Sequence, residues 1–228
     1  MKKGGVAIAL SPKAIDAWKR AGQPEPIRPK CTDNQASRII AMELHLVDQA
    51  QKVDKIFVVS AYLPCSSYSD DCYDQILTQL EEVIQRKPKD AFLILGGDFN
   101  ASIGNGEKTA KPYTTIGPYG NQRQNSRGET LLSFLEMHKL TTCASYYKKR
   151  EYDTWSFGNK MKYNHQIDHI LIQQHEKRRM RNCQTHEMVQ SDHRALTTKF
   201  STGNYIPQKC NKNDKKGNTE QTSNKPQR

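Results

Sequence analysis

Nowhere do the 228 residues hold an apolar run long enough to cross a bilayer. The longest, such as Val6 to Leu10 and Phe92 to Leu95, are strand-sized, far short of the roughly 18 to 20 residues a spanning helix needs. Also missing is a secretory leader, since Met1-Lys2-Lys3-Gly4-Gly5 leads into no apolar core with a small-residue cleavage site, and an intracellular protein is expected. Cysteine is sparse: Cys31, Cys65, Cys72, Cys143, Cys183 and Cys210 include no C-x-x-C pair and fall far below disulfide-scaffold density, so they read as reduced thiols. Glycine-rich phosphate loops are absent. Gly104-Asn105-Gly106 lacks the third glycine of a dinucleotide loop, and Gly106-Glu107-Lys108-Thr109 lacks the Gly-Lys adjacency of a P-loop. His165 and His169 fall on an expected strand, where four residues span about 13 Å, too far for two imidazoles to share a zinc.

Positive charge is what the chain has in plenty. The net charge is +11, of which the stretch from residue 201 to 228 supplies +4, through Lys209, Lys212, Lys215, Lys216, Lys225 and Arg228 against Asp214 and Glu220. A body that stays basic without this tail points to a polyanionic partner, because clustered Lys and Arg gain by releasing counterions from a phosphate backbone. Charge alone is equally compatible with a basic protein that has no such partner.

Strands are expected at Val6–Leu10, from Ile40 with period-two alternation, at Ile56–Leu63 and at Ala91–Leu95, a continuous run fit for a strand covered on both faces. Later ones fall at Leu140–Ala144, Thr154–Phe157, Ile167–Ile172, Thr185–Val189 and Ala195–Phe200. Tyr73, Ile76, Leu77, Leu80, Val83 and Ile84 recur at helical spacing, with Ser69-Asp70-Asp71 as cap candidates and Lys87-Pro88 as the stop. A short helix is marked by Leu131, Leu132, Phe134 and Leu135. Ser11-Pro12 and the stretch Pro24 to Pro29 read as loop, and about nine strands with two or three helices describe a sheet-rich α/β domain.

The run Ile94-Leu95-Gly96-Gly97-Asp98-Phe99-Asn100 delivers Asp98 and Asn100 at a strand end. If the extended geometry persists, their side chains point the same way about 6.6 Å apart, able to orient a water and one phosphate oxygen; an ordinary Asp/Asn turn is the plainer reading. Asp168 places a carboxylate within the apolar run Gln166 to Leu171, costly without a partner. Ser191-Asp192-His193 adds a carboxylate and an imidazole, which converge on one site only if the chain turns there. Taken singly, a salt-bridged structural acid and a satisfied histidine remain open.

Together, Gly96-Gly97-Asp98-Phe99-Asn100, Ile167-Asp168-His169-Ile170 and Ser191-Asp192-His193, in this order and spacing, resemble the endonuclease/exonuclease/phosphatase superfamily. Tyr62 in Ser60-Ala61-Tyr62-Leu63-Pro64 matches a tyrosine of that family. The nearest resemblance is to non-LTR retrotransposon endonuclease domains and craniofacial-development-protein-like sequences, which share Gly5-Val-Ala-Ile and Asn125-Ser-Arg-Gly-Glu-Thr-Leu-Leu. The resemblance implies a four-layer α/β sandwich, two packed mixed sheets flanked by helices. Because no Gln-Glu dipeptide occurs in the chain, where the family has a glutamate metal ligand, the expectation is a domain over residues 1–200 lacking its first strands, followed by a disordered basic tail over 201–228.

The family's scheme implies a magnesium-dependent phosphodiesterase acting on DNA, with manganese as an alternative ion and the nucleus as the compartment. Carried over residue by residue, Asp98 activates the attacking water, Asn100 holds a phosphate oxygen, and His193, protonated and paired to Asp168, stabilises developing charge. Tyr62 donates to the phosphate or leaving oxygen, and Asp192 and Asp98 serve the metal. For substrate grip, Lys148, Lys149, Arg150, Tyr152, Trp155, Lys160 and Lys162 interleave aromatics with positive charge, the composition expected beside DNA. Trp155 and Phe157 are also candidates for a strand core, and Lys177, Arg178, Arg179 and Arg181 for a solvated face. The alternatives are a catalytically inactive relative that binds nucleic acid and, further off, a phosphatase of small esters.

Overall fold

In the computed structural model the residues described are 5–29, 38–48, 50–105, 114–121, 123–150, 153–158, 165–188 and 191–202. The first element is a helix, α1 (Pro12–Arg20), begun by Ser11, whose side chain accepts from the Ala14 amide at 3.4 Å, and by proline at the first helical position. Two antiparallel strands follow, β1 (Ile39–Val47) and β2 (Val53–Tyr62). The carboxylate of Asp48 ties their turn by accepting from the amides of Ala50 and Lys52. The helix α2 (Asp70–Gln85), capped by Ser69, then carries the chain across to β3 (Phe92–Asp98), parallel to β2; a parallel pair requires such a crossover. Beyond it come α3 (Ser126–Met137), β4 (Leu140–Thr142), β5 (Asp168–Gln173), β6 (Met180–His186) and β7 (Ala195–Phe200).

The first sheet is mixed, with strand order β1-β2-β3-β5-β4, and β6 and β7 form a second, antiparallel sheet. Alternate residues of the first sheet feed two cores. Ile39, Ala41, Phe57, Val59, Ala61, Leu93, Leu95 and Leu171 pack with the apolar faces of α2 and α3. Leu44, Ile56, Phe92 and Ile172 face the other way, onto Ala17 of α1 and Met180 and Cys183 of β6, with Val58, Ile94, Ile170, Leu196 and Phe200 around them. Each fully buried aliphatic side chain contributes about 1.5–3 kcal/mol, so the two-sided burial of β3 makes it the strand on which the architecture is centred. Arg179 clamps the sheets together: it is buried, pairs with Asp54 of β2, lies 4.1 Å from the Phe92 ring centroid and donates to the Ser201 carbonyl.

The architecture is the expected α/β one with two sheets and flanking helices, but local expectations need correcting. Residues 5–10 form no strand; among the described residues they find no pairing partner, and a lone strand leaves its amides unsatisfied. Ser11-Pro12 starts a helix instead of a loop. The strand expected at Thr154–Phe157 is reduced to isolated bridges from Phe157 to His165 and His193, that at Leu140–Ala144 stops at Thr142, and β6 begins well before Thr185. Seven strands and three α-helices result among the described residues. Of the supposed solvated face, Arg178 is exposed, but Arg179 is the buried clamp, because Asp54 compensates its charge. The described cysteines 65, 72, 143 and 183 are free. The described helices include none long and apolar enough to cross a membrane. The tail from 203 onward lies outside the described residues.

Candidate active site

The register of three strands sets a row of side chains. Tyr62, the last residue of β2, pairs with Asp98, the last of β3, which pairs in turn with Asp168, the first of β5. Paired residues project to the same side of a sheet, and counting by twos places this row with Val58, Ile94 and Ile170, on the side covered by the second sheet. The segment entering β7 then brings His193 over the row. Its Nδ1 is 3.0 Å from Asp168 Oδ2. Ligating atoms of Asp98, Asp168 and His193 all lie within 4.8 Å of one another.

Backbone geometry at the end of β3 differs from the extended expectation. Asn100 adopts φ 49°, a left-handed conformation that asparagine tolerates better than most residues. Asp98 and Asn100 still converge, through a turn: the Asn100 amide donates to Asp98 Oδ1 at 2.9 Å, and its Nδ2 donates to the Leu63 carbonyl at 2.9 Å and to Asp98 Oδ2 at 3.3 Å. The Leu63 amide donates to the Asp98 carbonyl at 2.9 Å. Gly97 makes the close approach possible, because a Cβ there would collide with the Ala61 carbonyl.

Asp98 and His193 are both shifted upward, for different reasons. Burial pushes the Asp98 carboxyl up to about 6, and the neighbouring Asp168 carboxylate adds to this against the opposing Asn100 amide bond. His193 is raised above 6.5, chiefly by its hydrogen bond to Asp168. His169, wholly buried with Nε2 2.8 Å from the Ala101 carbonyl, is lowered by desolvation and is structural. Asp192 stands exposed at a bend beside His193, its carbonyl accepting from the Gly158 amide. The chain does turn there, which lets His193 face the row while Asp192 stays at the rim.

Residues the sequence reading left without roles support this geometry. Arg127, buried, donates to the carbonyls of Pro64 at 2.5 Å and Tyr68 at 2.7 Å and stacks over Tyr73 at 5.0 Å, fixing the turn that follows Tyr62. Asn125 caps α3 by accepting from Gly128 at 2.7 Å, and the same oxygen accepts from the Ser102 amide at 3.1 Å. Their motif, Asn125-Ser126-Arg127-Gly128, was the available signal, but its contacts span up to 63 positions along the chain.

The supposed grip is partly engaged elsewhere. Lys148 is exposed, Lys149 donates to Asn182 Oδ1 at 3.0 Å and Arg150 pairs with Asp153 at 2.8 Å. The Trp155 ring is covered by the Arg194 guanidinium at 4.8 Å, and Phe157 packs on His193 with ring centroids 4.9 Å apart. Neither aromatic lies in a strand. Tyr152, Lys160 and Lys162 lie outside the described residues.

Comparison with known proteins adds the following. The profile of a family described as endonuclease-reverse transcriptase matches residues 56–197. Craniofacial development protein 2 of Bos taurus is 26% identical over 147 residues, covering 63% of this chain and 24% of that protein; the chain thus spans about a quarter of the relative's length. Among solved structures, the endonuclease domain of TRAS1, a telomere-specific non-LTR retrotransposon, superposes with a TM-score of 0.50 at 19% identity, covering 77% of this chain and 66% of that one. The 3'-5' exonuclease NExo of Neisseria meningitidis gives 0.54 at 18%, covering 77% and 70%. An AP endonuclease of Archaeoglobus fulgidus gives 0.52 at 15%, covering 77% and 71%.

Proposed function

The chain belongs to the endonuclease-reverse transcriptase family, within the endonuclease/exonuclease/phosphatase superfamily, and from that premise we propose that it is a metal-dependent phosphodiesterase that nicks DNA, of the retrotransposon endonuclease type. The observation that carries the reading is the meeting of Asp98, Asp168 and His193 where the end of β3 pairs with the start of β5. A net charge of +11 supports a DNA partner, as does the description of NExo as a 3' phosphatase bound to a product DNA hairpin. Such a substrate makes the nucleus its compartment.

A phosphodiester resists hydrolysis because negative oxygens shield the phosphorus, so catalysis needs compensating charge and a positioned water. The carboxylates of Asp98 and Asp168, opposed across one ladder with a single imidazole for countercharge, are a donor set suited to a hard divalent cation. Magnesium, or manganese in its place, would be held by Asp98 and Asp168, with Asp192, exposed at the rim, as the further candidate ligand, and would supply polarisation of a phosphate oxygen. Asp98, oriented by two bonds from Asn100, aligns and deprotonates the attacking water. The Asn100 amide reaches a phosphate oxygen by exchanging its longer bond to Asp98. His193, held cationic by Asp168, stabilises charge on the phosphoryl oxygens, and the Tyr62 hydroxyl donates to the phosphate or the departing oxygen. Substrate grip falls to the basic side chains of this stretch of sequence, Lys148, which is exposed, with Lys149 and Arg150, and Tyr152, Trp155, Lys160 and Lys162 are the further candidates.

Supercoiled plasmid incubated with magnesium tests the reading. Conversion to the open circular form that disappears in Asp98→Ala and His193→Ala supports it. A gel shift without nicking supports a nucleic-acid-binding role, and absence of both at low salt removes DNA as the partner.

A further inference from the structure

On the other side of the row from His193 stands a pair of residues that the chemistry above does not use. Arg38 immediately precedes β1, and its carbonyl accepts the Tyr62 amide at 2.9 Å. Its guanidinium lies 5.1 Å from the ring centroid of Tyr62 and 5.1 Å from that of Tyr68, between the two rings. Among the described residues its side chain makes one hydrogen bond, a long one of 3.5 Å to the Tyr62 carbonyl, and no carboxylate there pairs with it. Tyr62 is the direct neighbour of Asp98 in the sheet, so this cation stands one side chain away from the acidic row.

Tyr68 is 44% exposed, yet it is not loosely held. Arg127 grips its carbonyl from below, and its amide donates to the Cys65 carbonyl at 3.0 Å. The turn is therefore ordered before any ligand arrives, which removes part of the entropic cost of binding. The two arginines differ: Arg127 spends its donors on carbonyls inside the protein at 2.5 and 2.7 Å, while among the described residues Arg38 makes only the long bond to Tyr62. A flat cation resting on aromatic faces, beside an exposed phenol, offers the two contacts a nucleotide needs, one for the phosphate and one for the base.

We infer that Arg38 and Tyr68 form a ledge for a single nucleic-acid strand, Arg38 taking the phosphate next to the scissile one and Tyr68 stacking on the base beside it. The inference rests on the nuclease reading of the adjoining cluster and deepens it by naming the contact with the flanking nucleotide.

Binding of a short fluorescein-labelled single-stranded oligonucleotide to the full chain, followed by fluorescence anisotropy in EDTA, separates the ledge from catalysis. Arg38→Ala and Tyr68→Ala each weaken affinity about tenfold, whereas Tyr68→Phe stays within about twofold of wild type. Arg38→Ala also lowers the slope of log affinity against log salt by about one phosphate contact, which Tyr68→Ala leaves unchanged. In plasmid nicking both variants raise KM and spare kcat. Circular dichroism melts establish that the variants are folded; should Arg38→Ala fail to fold, Tyr68→Ala against Tyr68→Phe carries the test. Unaltered affinity in the alanine variants, or a wild-type chain that does not bind the strand, overturns the ledge. Loss of affinity in variants of a wild-type chain that binds without nicking upholds the ledge and removes the catalytic reading; nicking with unaltered affinity does the reverse.

Discussion

Both flanks of the acid–imidazole row bring an arginine against aromatic rings, and the two arginines are used in opposite ways. On the Tyr62 side Arg38 sits between rings of which one, Tyr68, is open to solvent. On the His193 side Arg194 is buried, its amide donates to the Ser156 carbonyl at 2.7 Å, and its guanidinium covers Trp155. A ring whose face is filled by its own chain stiffens the wall of a site, and a ring left open can receive a ligand. Composition cannot tell the two apart, since interleaved aromatic and basic residues satisfy either.

The largest break comes from removing the centre that both flanks share. Asp98→Asn or His193→Ala lowers the nicking rate about 10²–10⁴-fold, read from plasmid relaxation, with little change in the melting temperature. Next comes the support of the open flank. Arg127→Ala strands the carbonyls of Pro64 and Tyr68 and costs about 2–4 kcal/mol of stability, measured by urea unfolding; it also loosens Tyr68 and weakens strand binding. Arg194→Ala acts on the closed flank and costs about 1 kcal/mol, with a red shift of Trp155 emission as its ring is uncovered. The finest test concerns His193. In the metal-free chain its imidazole titrates above the ordinary 6.5, and Asp168→Asn brings it back down, as followed by NMR. The stability this pairing lends is complete below the unfolded imidazole value and is lost as pH rises through the raised one.

Much of the fold was legible because period-two and helical patterns report which faces are buried, as in β1, β2 and α2. The helix α1 was not, although Ser11-Pro12 is a start signal, because its short run offers four apolar residues, Ala14, Ile15, Ala17 and Trp18, of which Ala17 alone is buried and Ile15 is exposed. Asp98, Asp168 and His193 were named from their motifs, but their convergence depends on strand register and on the bend at Asp192, which no local spacing encodes. Arg127 and Arg38 escaped for a related reason. An arginine's partners decide whether it is an anchor or a contact, and here those partners lie 24 to 63 positions away in the chain.

The clamp formed by Arg179 carries a consequence for stability. It rivets β2 to the hairpin β6–β7 near Ser201, at the far end of β7 from His193. That strand is thus tethered at both ends, by the rivet at Ser201 and, beside the imidazole, by the bonds of Asp192 to Gly158 and of Arg194 to Ser156. Severing the rivet, as in Asp54→Ala, strands a buried guanidinium in the seam between the sheets and is expected to lower stability while the tether beside His193 keeps the imidazole on its carboxylate.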